Sequence, residues 1–221
     1  MRTSIKAFIF DVYGTLFDVY SLKKLCNDLY PEKGEKISQS WRTKQIEYFF
    51  LRQLMGNYEP FLNITKDALK YAIKEHDEQL NEQKEKQLLE AYLHLVPYPE
   101  VQDVLKQLEY KQLVVFSNGS HDMLDPLIQN SGLSNFFNYT ISIDEVKQYK
   151  PTLASYRHAL ETLGIKREEV LFISSNGWDI SGAKNFGFQT AWINRNNLPI
   201  EELDLVPDNI YSDLTGILKW K

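Results

Sequence analysis

The chain has 221 residues, 43% of them hydrophobic, and carries a net charge of -5 at pH 7. That length accommodates one large domain, or a core domain with a smaller one inserted into it, and can bury a substantial core. A pI near 5.5 and the lack of any lysine/arginine run exclude a binder of phosphate backbones, so no nucleic-acid partner is expected.

In chain order, "MRTSIK" leads into an apolar run that Asp11 interrupts, which fits neither a signal peptide nor a membrane span. A soluble, cytoplasmic protein is expected. The run itself, "AFIF" at 7 to 10, reads as a strand buried on both faces. The single cysteine, Cys26 in "SLKKLCNDLY", excludes an internal disulfide, and its helical spacing from Leu22 and Leu29 marks a packed residue in preference to a nucleophile.

Residues 18 to 96 then show helical patterns and no convincing strand, which reads as an insertion. "WRTKQIEYFFLRQLMGNY" places Trp41, Tyr48, Leu51 and Met55 on one broad face, with Gly56-Asn57 as a stop. "TKDALKYAIKEH" predicts a second helix with Thr65 as its N-cap. The mixed charges and interleaved leucines of "EHDEQLNEQKEKQLLEAYLHL" predict a solvated helix face, and "VPYPE" at 96 to 100 a return linker.

Beyond the linker, apolar runs alternate with amphipathic segments. "LVVF" at 113 to 116, "YTISI" at 139 to 143, "VLFIS" at 170 to 174 and "TAWIN" at 190 to 194 read as strands. "HDMLDPLIQNSG" with its stop at Gly132, "PTLASYRHALETLG" bounded by Pro151 and Gly164, and "GWDISGAKNFG" read as helices. That alternation predicts an α/β fold, a doubly wound parallel sheet with an inserted helical cap. The core comprises residues 1 to 17 and 97 to 221, and the cap residues 18 to 96.

Ligands of such sheets bind beyond the carboxyl ends of the strands. The polar residues there are Asp11 after the first strand, Ser117 and Asn118 after the second, Lys150 after the third, and Ser174, Asn176 and Asp179 at the fourth. Any one alone reads as a turn or cap residue, whereas the four strand ends together supply an acid, hydroxyls, amides and a lysine. Asp11 is the natural nucleophile, because a carboxylate can form an ester that splits one displacement into two steps. The four histidines, His76, His94, His121 and His158, show no ligand spacing, and no GxSxG elbow or Walker A loop occurs. Lys150 would keep Asp11 ionised. In the insertion, Arg42 shares a helical stripe with Ile46 and Phe49, so its charge calls either for an ion-pair partner or for an anion in a water-poor pocket.

These residues resemble a known family. "FDVYGTLFDVYS", "FSNGS", "KQYKP" with Tyr156, and "LFISSNGWDISGAKNFGFQTAWINR" are similar to the four ordered motifs of the haloacid dehalogenase superfamily, and "WRTKQIEYFFLRQLMGNYEPF" resembles the helical cap of its L-2-haloacid dehalogenases. The resemblance runs over most of the chain. It implies Asp11 as nucleophile positioned by Thr15, with Val12 and Tyr13 contacting substrate. Arg42 with Asn118 would accept the halide and Ser117 the substrate carboxylate. Lys150 would orient Asp11, supported by Tyr156 and Ser174, while Asn176 and Asp179 assist ester hydrolysis. Ile46, Phe61 and Trp178 would wall the alkyl group. The implied substrate is a small 2-haloalkanoate, with no metal, no cofactor, no membrane partner and a homodimeric state. Either Asp179 or Lys150 could activate the water. Thr43, where relatives often carry glutamine, and His121, where proline is common, depart from the pattern at positions that bear on pocket shape.

Two other readings stay open. A phosphatase of this superfamily resembles a DxD first motif, whose second acid protonates the leaving group, and clusters acids around Mg²⁺; here Tyr13 replaces that acid and only Asp11 and Asp179 are evident carboxylate ligands. A non-catalytic binding module is the other, since fold alone never establishes activity. The full polar set argues against decay.

Overall fold

The computed structural model of the chain describes residues 4 to 220, so the first residues of "MRTSIK" lie outside the described residues. Among the described residues eight strands occur: β1 (Ala7–Phe10), β2 (Phe17–Asp18), β3 (Val96–Pro97), β4 (Gln112–Ser117), β5 (Tyr139–Ser142), β6 (Val170–Ser174), β7 (Gln189–Ile193) and β8 (Asn209–Tyr211). Six of them form one sheet in the order β5-β4-β1-β6-β7-β8, every pairing parallel. All residues of β1 and β6 are buried, as expected of continuous Ile, Val and Phe runs covered on both faces. The chain winds outward in both directions from β1, so the switch point of the sheet lies at the carboxyl end of β1, where Asp11 follows.

The helices are α1 (Lys23–Leu29), α2 (Gly34–Leu54), α3 (Phe61–Glu75), α4 (Glu82–Tyr92), α5 (Val101–Gln107), α6 (His121–Asn130), α7 (Leu153–Leu163) and α8 (Gly177–Phe186). The first four fill the interval between β2 and β3, with α2 packed along α1 and α3. The chain leaves and returns through β2 and β3, which pair antiparallel, Phe17 opposite Pro97 and Asp18 opposite Val96. Among the described residues no helix is long and apolar enough to cross a membrane.

The sheet, its helical alternation and the helix stops at Gly132 and Gly164 agree with the sequence reading; both glycines have positive φ, as does Gly187 after α8. Several details differ. The buried stripe of α2 runs through Ile37, Ser38, Trp41, Gln45 and Phe49, whereas Leu51 and Met55 are 42% and 66% exposed. A buried glutamine interrupts the apolar pattern, and the reading slipped to the neighbouring face. Thr65 is not an N-cap: α3 begins a turn earlier after Pro60, and Thr65 is buried inside it. The sixth strand, β8, and the short helix α5 had no sequence prediction. Cys26 is fully buried on α1, and burial pushes its thiol up to about 11.

Candidate active site

The loop after β1 turns so tightly that the Val12 carbonyl accepts from the N–H groups of Thr15, Leu16 and Phe17. Gly14 makes this possible with φ of 90°, a conformation that costs residues with a Cβ. The turn sends Thr15 back over Asp11, where its hydroxyl donates to Asp11 Oδ2 at 2.8 Å. The same oxygen accepts from Asn176 Nδ2 at 2.8 Å and from Ser174 Oγ at 3.3 Å. Thr15 Oγ1 in turn accepts from the N–H of Ser175 at 2.8 Å, which ties the β1 and β6 ends together.

Asp11 Oδ1 faces Lys150 instead, 2.9 Å from its Nζ, and the same ammonium donates to Asp179 Oδ2 at 2.7 Å and to the Phe116 carbonyl at 3.2 Å. Tyr156 donates its hydroxyl to Asp179 Oδ1 at 2.8 Å. Lys150 and Asp179 are fully buried and Asp11 is 4% exposed. Burial of this kind is tolerated only where each charge is paired and hydrogen-bonded. Desolvation pulls the Lys150 ammonium down, but Asp11 and Asp179 outweigh it and hold it above its ordinary value. Burial, reinforced by Asp11 and opposed by Lys150, pushes the Asp179 carboxyl up to about 6. Two carboxylates share one cation, so the cluster keeps a net negative charge.

In front of Asp11 lies a small, tight pocket lined by Asp11, Tyr13, Arg42, Phe49, Phe61, Asn118, Asn176 and Trp178. Its polar groups are underused. Arg42 reaches it from α2 with NH1 2.8 Å from Gln45 Oε1 and NH2 3.3 Å from the Tyr13 carbonyl and 3.4 Å from Asn176 Oδ1. Among the described residues it has no acidic partner, so the ion pair that its helical stripe allowed is not formed. Asn118 Oδ1 accepts from the N–H of Lys150 at 2.9 Å. Its Nδ2 is buried without a partner, as are Trp178 Nε1 and Tyr13 Oη. Each such group costs about 1–3 kcal/mol. A cation and three free donors opposite a carboxylate form a place for an anion. Tyr13 packs its ring against Phe61 and Tyr92 at 5.1 and 5.7 Å, and burial holds its phenol well above the ordinary range.

The structure thus gathers Asp11, Tyr13, Thr15, Arg42, Phe61, Asn118, Lys150, Tyr156, Ser174, Asn176, Trp178 and Asp179 into one connected cluster. Ser117 lies just behind it, its Oγ accepting from the N–H of Gly119 at 2.9 Å. Val12 contributes its carbonyl to the turn. Ile46 does not line the Asp11 pocket; it borders an adjoining cleft of about 280 Å³ that shares Arg42, Asn176 and Trp178. Thr43 borders a separate surface cleft beside His76. His121 begins α6 with its imidazole between Asp125 and Glu145. Neither departure therefore shapes the pocket, because both side chains point elsewhere. Phe49 was missed as a wall residue, although it stands two helical turns from Arg42 on the stripe that marked the latter. Gly119 was missed too: a Cβ there would meet the Tyr13 ring at 2.9 Å.

Comparison with known proteins agrees with this geometry. The family model for haloacid dehalogenase-like hydrolases matches residues 5–187. An (S)-2-haloacid dehalogenase of Pseudomonas putida is 39% identical over 219 residues, covering 98% of this chain and 96% of that protein. Haloacetate dehalogenase H-2 of Moraxella sp. (strain B) is 44% identical over 206 residues, 92% of each chain. The solved structure of the Xanthobacter autotrophicus L-2-haloacid dehalogenase with chloropropionic acid covalently bound superposes with a TM-score of 0.91 at 36% identity, covering 97% of this chain and 98% of that one. With a matching motif order, a matching sheet and relatives of this similarity along nearly its whole length, the chain belongs to the haloacid dehalogenase-like hydrolases.

Proposed function

We propose that the protein hydrolyses L-2-haloalkanoic acids to D-2-hydroxyalkanoic acids, releasing halide through an ester on Asp11. The observation that carries this reading is the pocket opposite Asp11, in which Arg42 lacks an acidic partner and the Asn118 and Trp178 N–H donors are unused. That set suits a departing halide, which needs positive charge and donors but no proton. Tyr13 stands where a phosphatase would need its second acid, and its ring closes the pocket beside Phe61. The relatives named (S)-2-haloacid dehalogenase support the substrate class, and the chloropropionic acid adduct of a similar enzyme supports the covalent route.

Asp11 Oδ1 carries one hydrogen bond and Oδ2 three. Oδ1 therefore attacks C2 from the side opposite the halogen and inverts that carbon. Halide leaves toward Arg42 and Asn118, while the substrate carboxylate turns toward the end of β4, where Ser117 Oγ, accepting from the Gly119 N–H, keeps its own proton to donate. Water then attacks the carboxyl carbon of the ester. Negative charge develops on Oδ2, where Thr15, Ser174 and Asn176 donate to it. Lys150, held protonated by its two carboxylates, cannot accept a proton. Asp179 is the base, since its carboxyl is ionised above its value of about 6 and can then take the water's proton. The Cγ–Oδ1 bond then breaks, Oδ1 leaves on C2 as the hydroxyl oxygen of the D-2-hydroxy acid and takes up the proton held by Asp179, and Asp11 is regenerated with the water's oxygen and no further change at C2.

The same donors support a metal-independent reaction. Among the described residues no three His, Cys, Asp or Glu side chains cluster to hold a metal, and Lys150 and Tyr156 already engage Asp179. Residues 1 to 17 and 97 to 221 are proposed as the core and 18 to 96 as the cap, because the chain crosses between them at the adjacent strands β2 and β3. A cytoplasmic homodimer is the proposed state; the exposed Leu54 and Met55 at the end of α2 offer it an apolar face, and light scattering measures the mass.

Incubation with L- and D-2-chloropropionate, with chloroacetate and with a phosphate ester, in Mg²⁺ or in chelator, tests the reaction. Chloride release from the L enantiomer, unaffected by chelator, is expected. Phosphate release that requires Mg²⁺ without halide release would overturn the reading. A single turnover in heavy-oxygen water with enzyme in excess tests the ester, since the label should first enter the Asp11 carboxylate.

A further inference from the structure

Arg42 is held in the pocket by a neutral group. Gln45, one turn further along α2 and fully buried, accepts from Arg42 NH1 on its Oε1 at 2.8 Å. The direction of that amide is fixed from its far end. Thr65 donates its hydroxyl to the Phe61 carbonyl at 2.8 Å, so toward Gln45 it can only accept, which it does from Nε2 at 2.7 Å. Oε1 must then face Arg42, and Tyr92 donates its hydroxyl to the same oxygen at 2.9 Å. Three cap helices thereby meet on one side chain. An apolar residue would fill the space between Trp41 and Phe49 without any of these requirements, so packing alone does not call for an amide. A glutamate of the same shape would still accept from Arg42 and Tyr92, but it would neutralise the guanidinium and set an acceptor against Thr65.

We infer that Gln45, aimed by Thr65 and Tyr92, is a positioning residue that fixes the Arg42 guanidinium while leaving its charge available to the departing halide. The identity of that anion rests on the dehalogenase reading above; the positioning rests on the contacts. Chloride binding to the resting protein, read as broadening of the chlorine NMR line, is compared with chloride release from L-2-chloropropionate. Gln45→Glu is expected to weaken chloride binding and product inhibition by about tenfold or more, with kcat/KM falling and circular dichroism unchanged. Thr65→Val, which frees the amide to turn over, is expected to do the same, and Thr65→Ser to restore the wild-type values. Folded Gln45→Glu protein with wild-type chloride affinity would overturn the inference. Should Gln45→Glu fail to fold, the Thr65 pair decides, since equal impairment of the valine and serine variants would also overturn it. If the wild-type protein releases no halide, the dehalogenase reading falls, while the chloride line widths still decide whether Gln45 keeps Arg42 open to anions.

Discussion

Asp179 and Lys150 are both raised, Asp179 by burial against the pull of Lys150 and Lys150 by its two carboxylates against burial, so each contributes stability on the acid side of its folded value. The Asp179 carboxyl rises from 3.8 to about 6 in the folded chain. The native state therefore binds that proton more tightly than the unfolded chain does. Its contribution to stability appears as pH falls through 6 toward 3.8 and is absent above. Lys150 is raised above 10.5, so its contribution is complete below 10.5 and is lost as pH rises through the higher folded value. In the proposed reaction, turnover needs the ionised Asp179. The rate of ester hydrolysis should fall below pH 6, by about tenfold per pH unit, and acid-quenched reactions should show ester accumulating there. Asp179→Asn should trap the ester at every pH; a variant that hydrolyses it normally would remove Asp179 as the base. Cys26 bears on a simpler point. Its buried thiol, pushed up to about 11, should resist iodoacetamide in the folded protein, and Cys26→Ala should retain halide release.

Helices α1 and α2 meet where no side chain fits. A Cβ on Gly34, the first residue of α2, would lie 2.3 Å from the backbone of Asn27 and Cys26. Gly34→Ala must push the helices apart, at an expected cost of about 1–3 kcal/mol, measured as a lower urea midpoint with an unchanged slope. Because Arg42 lies about two turns further along α2, kcat should change less than stability. The same helix shows what could be read from sequence and what could not. Asp11, Lys150 and Asp179 were legible because parallel strands are continuous apolar runs, and a polar residue ending one is conspicuous. Arg42 was legible as a charge on an apolar stripe. Gln45 was not, since a buried glutamine reads as a break in the pattern until its partners on α3 and α4 are known. Thr65 was misread for a related reason: an N-cap residue type inside a helix looks like a start unless its bond to the Phe61 carbonyl is visible. Strand β8 escaped notice because a three-residue edge strand with a partly exposed pattern carries too little hydrophobic signal.

The proposed core and cap share one pocket, and the connections between them run side by side through β2 and β3. Further contacts cross between α2 or its following loop and the segment before Lys150. Gln53 bonds both Gln148 and the N–H of Tyr149, and Tyr149 donates to the Glu59 carbonyl. Asp11 and Asn118 face Arg42, Phe49 and Phe61 across the same pocket. A ligand there contacts both parts at once, so it should stabilise the molecule as a unit. Propanoate has the carboxylate and alkyl group of a substrate without a leaving group. At a hundred times its dissociation constant it should add about 2.7 kcal/mol, which for a chain of this size raises Tm by roughly 5–11 °C. The melting curve should remain a single transition in differential scanning calorimetry. Arg42→Ala removes a pocket residue from the cap, yet it should reduce the propanoate shift of the entire transition. Two transitions, of which propanoate moves only one, would mean that the cap folds independently of the core and that the pocket does not couple them.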